Sequence, residues 1–204
     1  MPSWHLVDAG EIAAAHKYTF YKPSAEAIAR VCAGETVKLI FAFQSDDPEA
    51  PGAERMWVIV ESIDGDGGFT GRLDNVPQYI EDIALDDPVT FRDIHIINTQ
   101  HDDEDGIVDR YLPRCFVTSR VLRDGERIGY LYREEPDEGG DSGWRIMAGD
   151  ESDAYMDDAD NTAYVSLGAV LNCDDSILPL LDAPVGSAFG RDEGGRFLPI
   201  TDQS

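Results

Sequence analysis

Positive charge is what this sequence has least of. Against 41 Asp and Glu stand only 16 Lys and Arg, for a formal net charge of −25 and a pI near 4.2. The surplus is spread over both halves of the chain and is not gathered in a tail. Such a field repels phosphate backbones and anionic headgroups, because affinity for these comes largely from Lys and Arg displacing counterions. Nucleic acid and membrane are therefore poor partners, and a basic protein is the macromolecule this charge would steer in.

Cysteine is almost as scarce. Cys32, Cys115 and Cys173 are odd in number and far apart, without the close spacing of a redox or zinc site, so reduced, buried thiols are expected. All four histidines, His5, His16, His95 and His101, lie in the first half, which leaves the second half none of its own for acid–base work. His95 alternates with isoleucines and reads as a strand residue. No uncharged stretch approaches the roughly 18 apolar residues of a membrane span, and no basic segment followed by an apolar run opens the chain. A cytoplasmic location is the expectation.

Complete catalytic or metal motifs are missing too. An EF-hand loop begun at Asp150 meets Ala154 and Tyr155 where it needs a ligand and a glycine, and one begun at His101 has Leu112 in the twelfth place. In Gly186-Ser187-Ala188-Phe189-Gly190 the serine follows the glycine directly, so the nucleophile-elbow spacing fails. The glycines from Gly65 to Gly71 have neither the Walker lysine nor dinucleotide-binding spacing, and hairpin turns account for them. An irregular cation site among Asp150, Glu151 and Asp153 is one reading of that stretch; a solvated acidic loop is the other.

What is there is enough apolar sequence, 42%, for a core. Asp8 and Ser24 are helix caps, for Ala9 to about Lys17 and for Ala25–Ala33, and Tyr18–Tyr21 reads as extended. Strands are expected at Val37–Phe43, Arg55–Ile63, Phe69–Leu73 and Val89–Ile97, with a Pro- and Asp-rich loop at Asp46–Gly52 and a hairpin turn at Asp64–Gly68. Short strands with tight turns imply a small, curved sheet or barrel with one or two helices. The acidic run His101–Gly106 is the best linker. Beyond it, strands are expected at Cys115–Leu122 and Ile128–Arg133, short helices after Ser166 and Ser176, and a hairpin around Asp192–Gly195. The most varied stretch is Asp141–Glu151, where a tryptophan, an arginine, two glycines and several carboxylates crowd together.

The fold class expected is α+β, in two tandem small domains, residues 1–100 and 112–204. The first has a curved antiparallel barrel-like sheet plus helices; the second has an antiparallel sheet with short helices. Trp144, Arg145, Asp150, Glu151, Tyr155 and Arg191 are the candidate binding residues, since aromatic and arginine anchors dominate interfaces. No catalytic residue, metal or cofactor is assigned.

Several segments carry a family resemblance. Phe116–Arg120, Gly129–Glu134, Asp141–Arg145, Gly149–Glu151, Ile177–Asp182, Gly186–Phe189 and Arg191-Asp192 stand in the order seen in the domain of unknown function family 2185, so residues 114–199 resemble that family. It is grouped with immunity-protein-33-like domains of bacterial polymorphic toxin systems. Gly34–Phe41, Glu54–Val58, Gly71–Asn75 and the Asp87-Pro88-Val89 turn resemble a second bacterial family, domain of unknown function 2314, over residues 18–97. The first resemblance implies a non-enzymatic protein-binding module, an immunity protein that neutralises a toxin; neither supplies a catalytic residue. The alternatives are a hydrolase working with acidic residues, with or without a metal, and a housekeeping scaffold.

Overall fold

The computed structural model describes residues 2–45, 49–101 and 106–200. The centre of the expected linker, residues 102–105, and residues 46–48 of the expected Asp46–Gly52 loop lie outside them. The protein is α+β and divides into two compact units, one of Met1–His16 with Phe20–Gly106, the other of Lys17–Thr19 with Ile107–Ser204. Lys17–Thr19, which the sequence reading kept within residues 1–100, thus falls in the second unit. Among the described residues no helix is long and apolar enough to cross a membrane.

The first unit runs β1 (Trp4–Leu6), α1 (Ala9–Ala15), α2 (Ala25–Ala29), β2 (Thr36–Phe43), β3 (Ala53–Ile63), β4 (Gly68–Leu73), β5 (Pro88–Arg92) and β6 (Ile96–Asn98). Asp8 caps α1 by accepting from the Gly10 and Glu11 amides, and Ser24 caps α2 by accepting from that of Ala27. Strands β1 to β5 pair antiparallel in the order β1-β2-β3-β4-β5, and β6 returns to β2, which nearly closes the sheet into a barrel. Alternation fills its inside: Val37, Leu39, Phe41 and Phe43 from β2 meet Met56, Val58 and Val60 from β3 and Phe69 and Phe91 from the later strands.

Two expectations fail here. The strand expected over Val89–Ile97 is broken by a 3-10 turn at Asp93–His95, in which the Arg92 amide donates to His95 Nδ1 at 3.0 Å. That bend lets β6 swing back to β2 and makes His95 a turn residue. Lys17–Thr19 is a turn, closed by the Phe20 amide on the His16 carbonyl at 2.8 Å, so the stretch expected to be extended over Tyr18–Tyr21 is not so at Tyr18 and Thr19. Strand β1, too short to show a period, was not anticipated.

The second unit runs α3 (Ile107–Arg110), β7 (Arg114–Thr118), α4 (Ser119–Leu122), β8 (Tyr130–Arg133), β9 (Asp141–Met147), α5 (Asp153–Met156), β10 (Thr162–Ser166), α6 (Leu167–Leu171), β11 (Ala188–Arg191) and β12 (Phe197–Pro199). The order is β10-β7-β9-β8-β11-β12. Four pairings are antiparallel and β7 beside β9 is parallel, so the sheet expected to be antiparallel is mixed. The expected strand Cys115–Leu122 stops at Thr118, where Ser119–Leu122 turns helical and the Ser119 carbonyl accepts from the Arg123 amide.

Helices α4 and α6 and a 3-10 turn at Asp175–Leu180 cover one face of this sheet. Its core is Val117, Leu131, Trp144 and Ile146 from the strands against Val121, Val170, Leu171 and Ile177. Tyr18 belongs to the same core: its ring meets that of Tyr111 edge-on at 5.7 Å, its hydroxyl donates to Asp175 at 2.9 Å, and its amide donates to Asn172 Oδ1 at 3.1 Å.

Candidate interaction surface

Side chains on neighbouring strands at the same register point to the same side of a sheet. In the second unit this alternation sorts two rows. Val117, Ile146, Leu131 and Phe189 are cross-strand partners and line the helix-covered side. One residue along, Tyr164, Phe116, Arg145, Tyr132 and Ala188 are partners and line the other side. That second face is open. Phe116 keeps 37% of its surface exposed while stacking on Tyr164 at 4.8 Å between centroids, and Arg114 lies over the Tyr164 ring at 4.6 Å. Tyr130 and Tyr132 sit 5.8 Å apart beside a cavity of about 490 Å³ lined also by Ser187, Ala188 and Ile200.

Arg145 is the middle of the row and is buried within it. Its Nη1 donates to Asp141 Oδ1 at 3.0 Å and its Nη2 to Asp141 Oδ2 at 2.9 Å. Nε donates to Glu134 Oε1, Nη2 also reaches Asp137 at 3.3 Å, and the guanidinium lies 4.7 Å over the Phe116 ring. The side chains of Arg145 and Asp141 are 8% and 1% exposed, those of Glu134 and Asp137 45% and 78%. The hydrogen bonds from Arg145, which outweigh the cost of burial, hold the Asp141 carboxyl down at about 2, and the same bonds raise the arginine.

A backbone irregularity makes this pair. Arg114 is opposite Asp141 and Phe116 opposite Arg145, so four steps along β9 advance past only two of β7. Gly143 takes up the slack with φ +79°; a Cβ there would stand 2.2 Å from the Glu134 carbonyl oxygen. The Gly143 carbonyl accepts from the Glu134 amide at 3.0 Å, which fastens the acidic loop after β8 to the bulge.

The six residues singled out in the sequence fall into separate local networks. Trp144 is 0% exposed: its ring packs in the core and Nε1 donates to the Leu181 carbonyl at 3.3 Å, so it is corrected from a contact residue to a core residue. Arg145, just described, keeps almost no free surface. Asp150 is exposed and pairs with Arg120 at 2.9 Å. Glu151 closes the turn after β9, accepting from the Thr118 hydroxyl at 2.6 Å and the Ala148 and Gly149 amides at 2.8 and 2.7 Å. Burial alone would raise its pKa, but these donors outweigh it and the carboxyl sits below its usual range. Tyr155, half-buried, accepts at its carbonyl from Asn161 at 2.9 Å. Arg191 is a strut: Nε donates to the Ile128 carbonyl and Nη2 to Asp174 and Ser176, each at 2.6 Å, and the side chain is inside. The aromatic face itself was missed, although Arg114-Cys115-Phe116-Val117 and Tyr130-Leu131-Tyr132 carry the alternation that betrays it.

The expectation of buried thiols holds for one of three. Cys115 is buried, and burial pushes its thiol up to about 12; Cys32 and Cys173 are exposed, and all three are free. Among the described residues no group of three His, Cys, Asp or Glu is arranged to hold a metal ion.

The second unit is thus an α+β domain whose sheet has one helix-covered face and one open, acid-framed aromatic face. Residues 115–201 match the family model described as the Immunity protein Imm33 domain, a stretch that spans β7 to β12 and with them almost all of that face. No curated protein and no solved structure matches the chain.

Proposed function

We propose that the protein is a non-enzymatic, protein-binding module of the immunity type, acting in the cytoplasm, whose second unit neutralises a basic toxin by covering part of it. The observation that carries this reading is the family match over residues 115–201, which takes in the whole of the second unit's sheet apart from Arg114. The open aromatic row within the match and the net charge of −25 support it, since aromatic anchors and a complementary field are what association with a basic protein uses. The first unit, on its resemblance to domain of unknown function 2314, is a separate module.

The test is capture with the tagged full-length chain from its native cells, coupled to gene deletion. A toxin recovered in equal amount, together with a growth defect that disappears when the toxin gene is also removed, supports the proposal. No partner and no defect, or a hydrolytic activity that follows the purified chain, would overturn it.

A further inference from the structure

We infer that the open sheet face seats a cationic side chain, an arginine or lysine on a loop of a basic protein, in the cavity beside Tyr130 and Tyr132, with Glu134 and Asp137 as counter-charges. That the loop belongs to a toxin rests on the reading above; the seat itself rests on three features of the face.

The first is unbalanced charge. Around Arg145 one guanidinium meets three carboxylates, Asp141, Glu134 and Asp137. Asp141 is fully engaged inside, while Glu134 and Asp137 turn much of their surface to solvent, and the neighbouring Glu138 is exposed as well. Arg133 also lines the cavity and spends its hydrogen bonds on the Ser142 and Ala183 carbonyls. Even with it counted against Asp141, Glu134, Asp137 and Glu138, the carboxylates outnumber the guanidiniums four to two at the edge of an aromatic surface, where a partner's cation is less screened than in open water.

The second is that this face already stacks cations on rings. Arg145 lies over Phe116 at 4.7 Å and Arg114 over Tyr164 at 4.6 Å. The row continues to Tyr132, with Tyr130 beside it, and no cation of the described residues is stacked on either ring. Arg133, which borders the cavity, has its guanidinium turned to the Ser142 and Ala183 carbonyls and to Trp144. Two electron-rich rings next to surplus carboxylates form half of an aromatic cage, which an incoming cation completes.

The third is shape. The cavity of about 490 Å³ has room for a long side chain, and Ala188 and the half-exposed Ile200 in its lining are an apolar bed for the methylene stem. A neutral or anionic partner would leave the surplus negative charge of Glu134 and Asp137, which share the one Arg145 guanidinium with Asp141, uncompensated and would lose the ring faces.

The test uses the full chain and a defined probe, the blocked peptide acetyl-Gly-Arg-Arg-Gly-amide, followed by NMR and calorimetry, with the Glu-Glu peptide as control. Shifts concentrated on Tyr130, Tyr132 and the loop from Glu134 to Glu138 are expected. Tyr132→Ala and Glu134→Gln should weaken binding at least tenfold, Tyr132→Phe should retain it, and Glu193→Gln, an equal charge loss in the turn between β11 and β12 and outside the cavity lining, should change it less than twofold. Melting curves confirm that each variant is folded. Shifts spread over all acidic loops, equal weakening by Glu193→Gln, or no binding would overturn the seat. A captured toxin that binds the Tyr132→Ala and Glu134→Gln variants as well as the parent overturns the seat and leaves the immunity reading standing. Peptide binding at the tyrosines with no toxin captured does the reverse.

Discussion

Asp141 and Arg145 grip each other through two parallel hydrogen bonds of 3.0 and 2.9 Å although they stand four positions apart on one strand. A regular strand would hold their Cα atoms about 13 Å apart. The contraction at Gly143 brings them together, so the ion pair, the bulge and the anchoring of the Glu134 loop are one device.

That device gives stability a defined pH dependence. The Asp141 carboxyl sits at about 2 when folded, below the roughly 3.9 of an unfolded aspartate, so its contribution is fully present above pH ~4 and is lost as pH falls toward 2. Urea unfolding of the parent between pH 5 and pH 2 should show a loss that Asp141→Asn largely lacks. At pH 7 the variant should be less stable by about 3 kcal/mol, because a buried guanidinium loses its main partner. Parallel pH profiles for the two proteins would contradict this.

Two glycines with left-handed backbones should respond differently to alanine. At Gly186, φ +87°, a Cβ meets nothing within 4 Å, so Gly186→Ala should cost about 1 kcal/mol of conformational strain. At Gly143 the same strain is joined by collision with a backbone carbonyl, and a loss of about 3 kcal/mol or more is expected. Thermal melts of the pair decide it; equal losses would mean that the bulge relaxes freely.

Trp144→Ala should destabilise by about 3–5 kcal/mol through the cavity it leaves and the lost bond to Leu181. Since the ring has no exposed surface, the folded fraction should bind any partner with unchanged affinity. A large affinity loss at constant folded fraction would return Trp144 to the interface.

Thiol labelling under native conditions should modify two cysteines, Cys32 faster than Cys173, whose thiol is raised by burial and by neighbouring Asp174. Cys115 should react only after unfolding. Mass spectrometry of the labelled chain reads the count directly, and rapid native labelling of Cys115 would contradict its burial.

The sequence made the α+β class and most strands legible, because strand alternation and capping residues such as Asp8 and Ser24 act locally. Where it misled, the decisive partner was distant. Nothing near Trp144 says that Leu181 waits for its indole, and nothing near Arg191 announces Asp174 and Ser176. Trp144 and Arg191 were singled out for their chemical variety, which in this domain serves the interior. The open face of the sheet lies in plainer residues, Phe116, Tyr130, Tyr132 and Tyr164, whose grouping depends on which strands become neighbours. Parallel pairing of β7 with β9 has no signature in either segment.

Tyr18 carries a kinetic consequence. Its hydrogen bonds to Asn172 and Asp175 span 154 and 157 positions of the chain, so a segment made early in translation finishes a core that is made much later. Loop closure over such a separation comes late and favours slow maturation. It also means that scissors applied between the two units would not release a self-sufficient C-terminal half: its Tyr111 would be left bare, and the missing stitch would have to be supplied in trans.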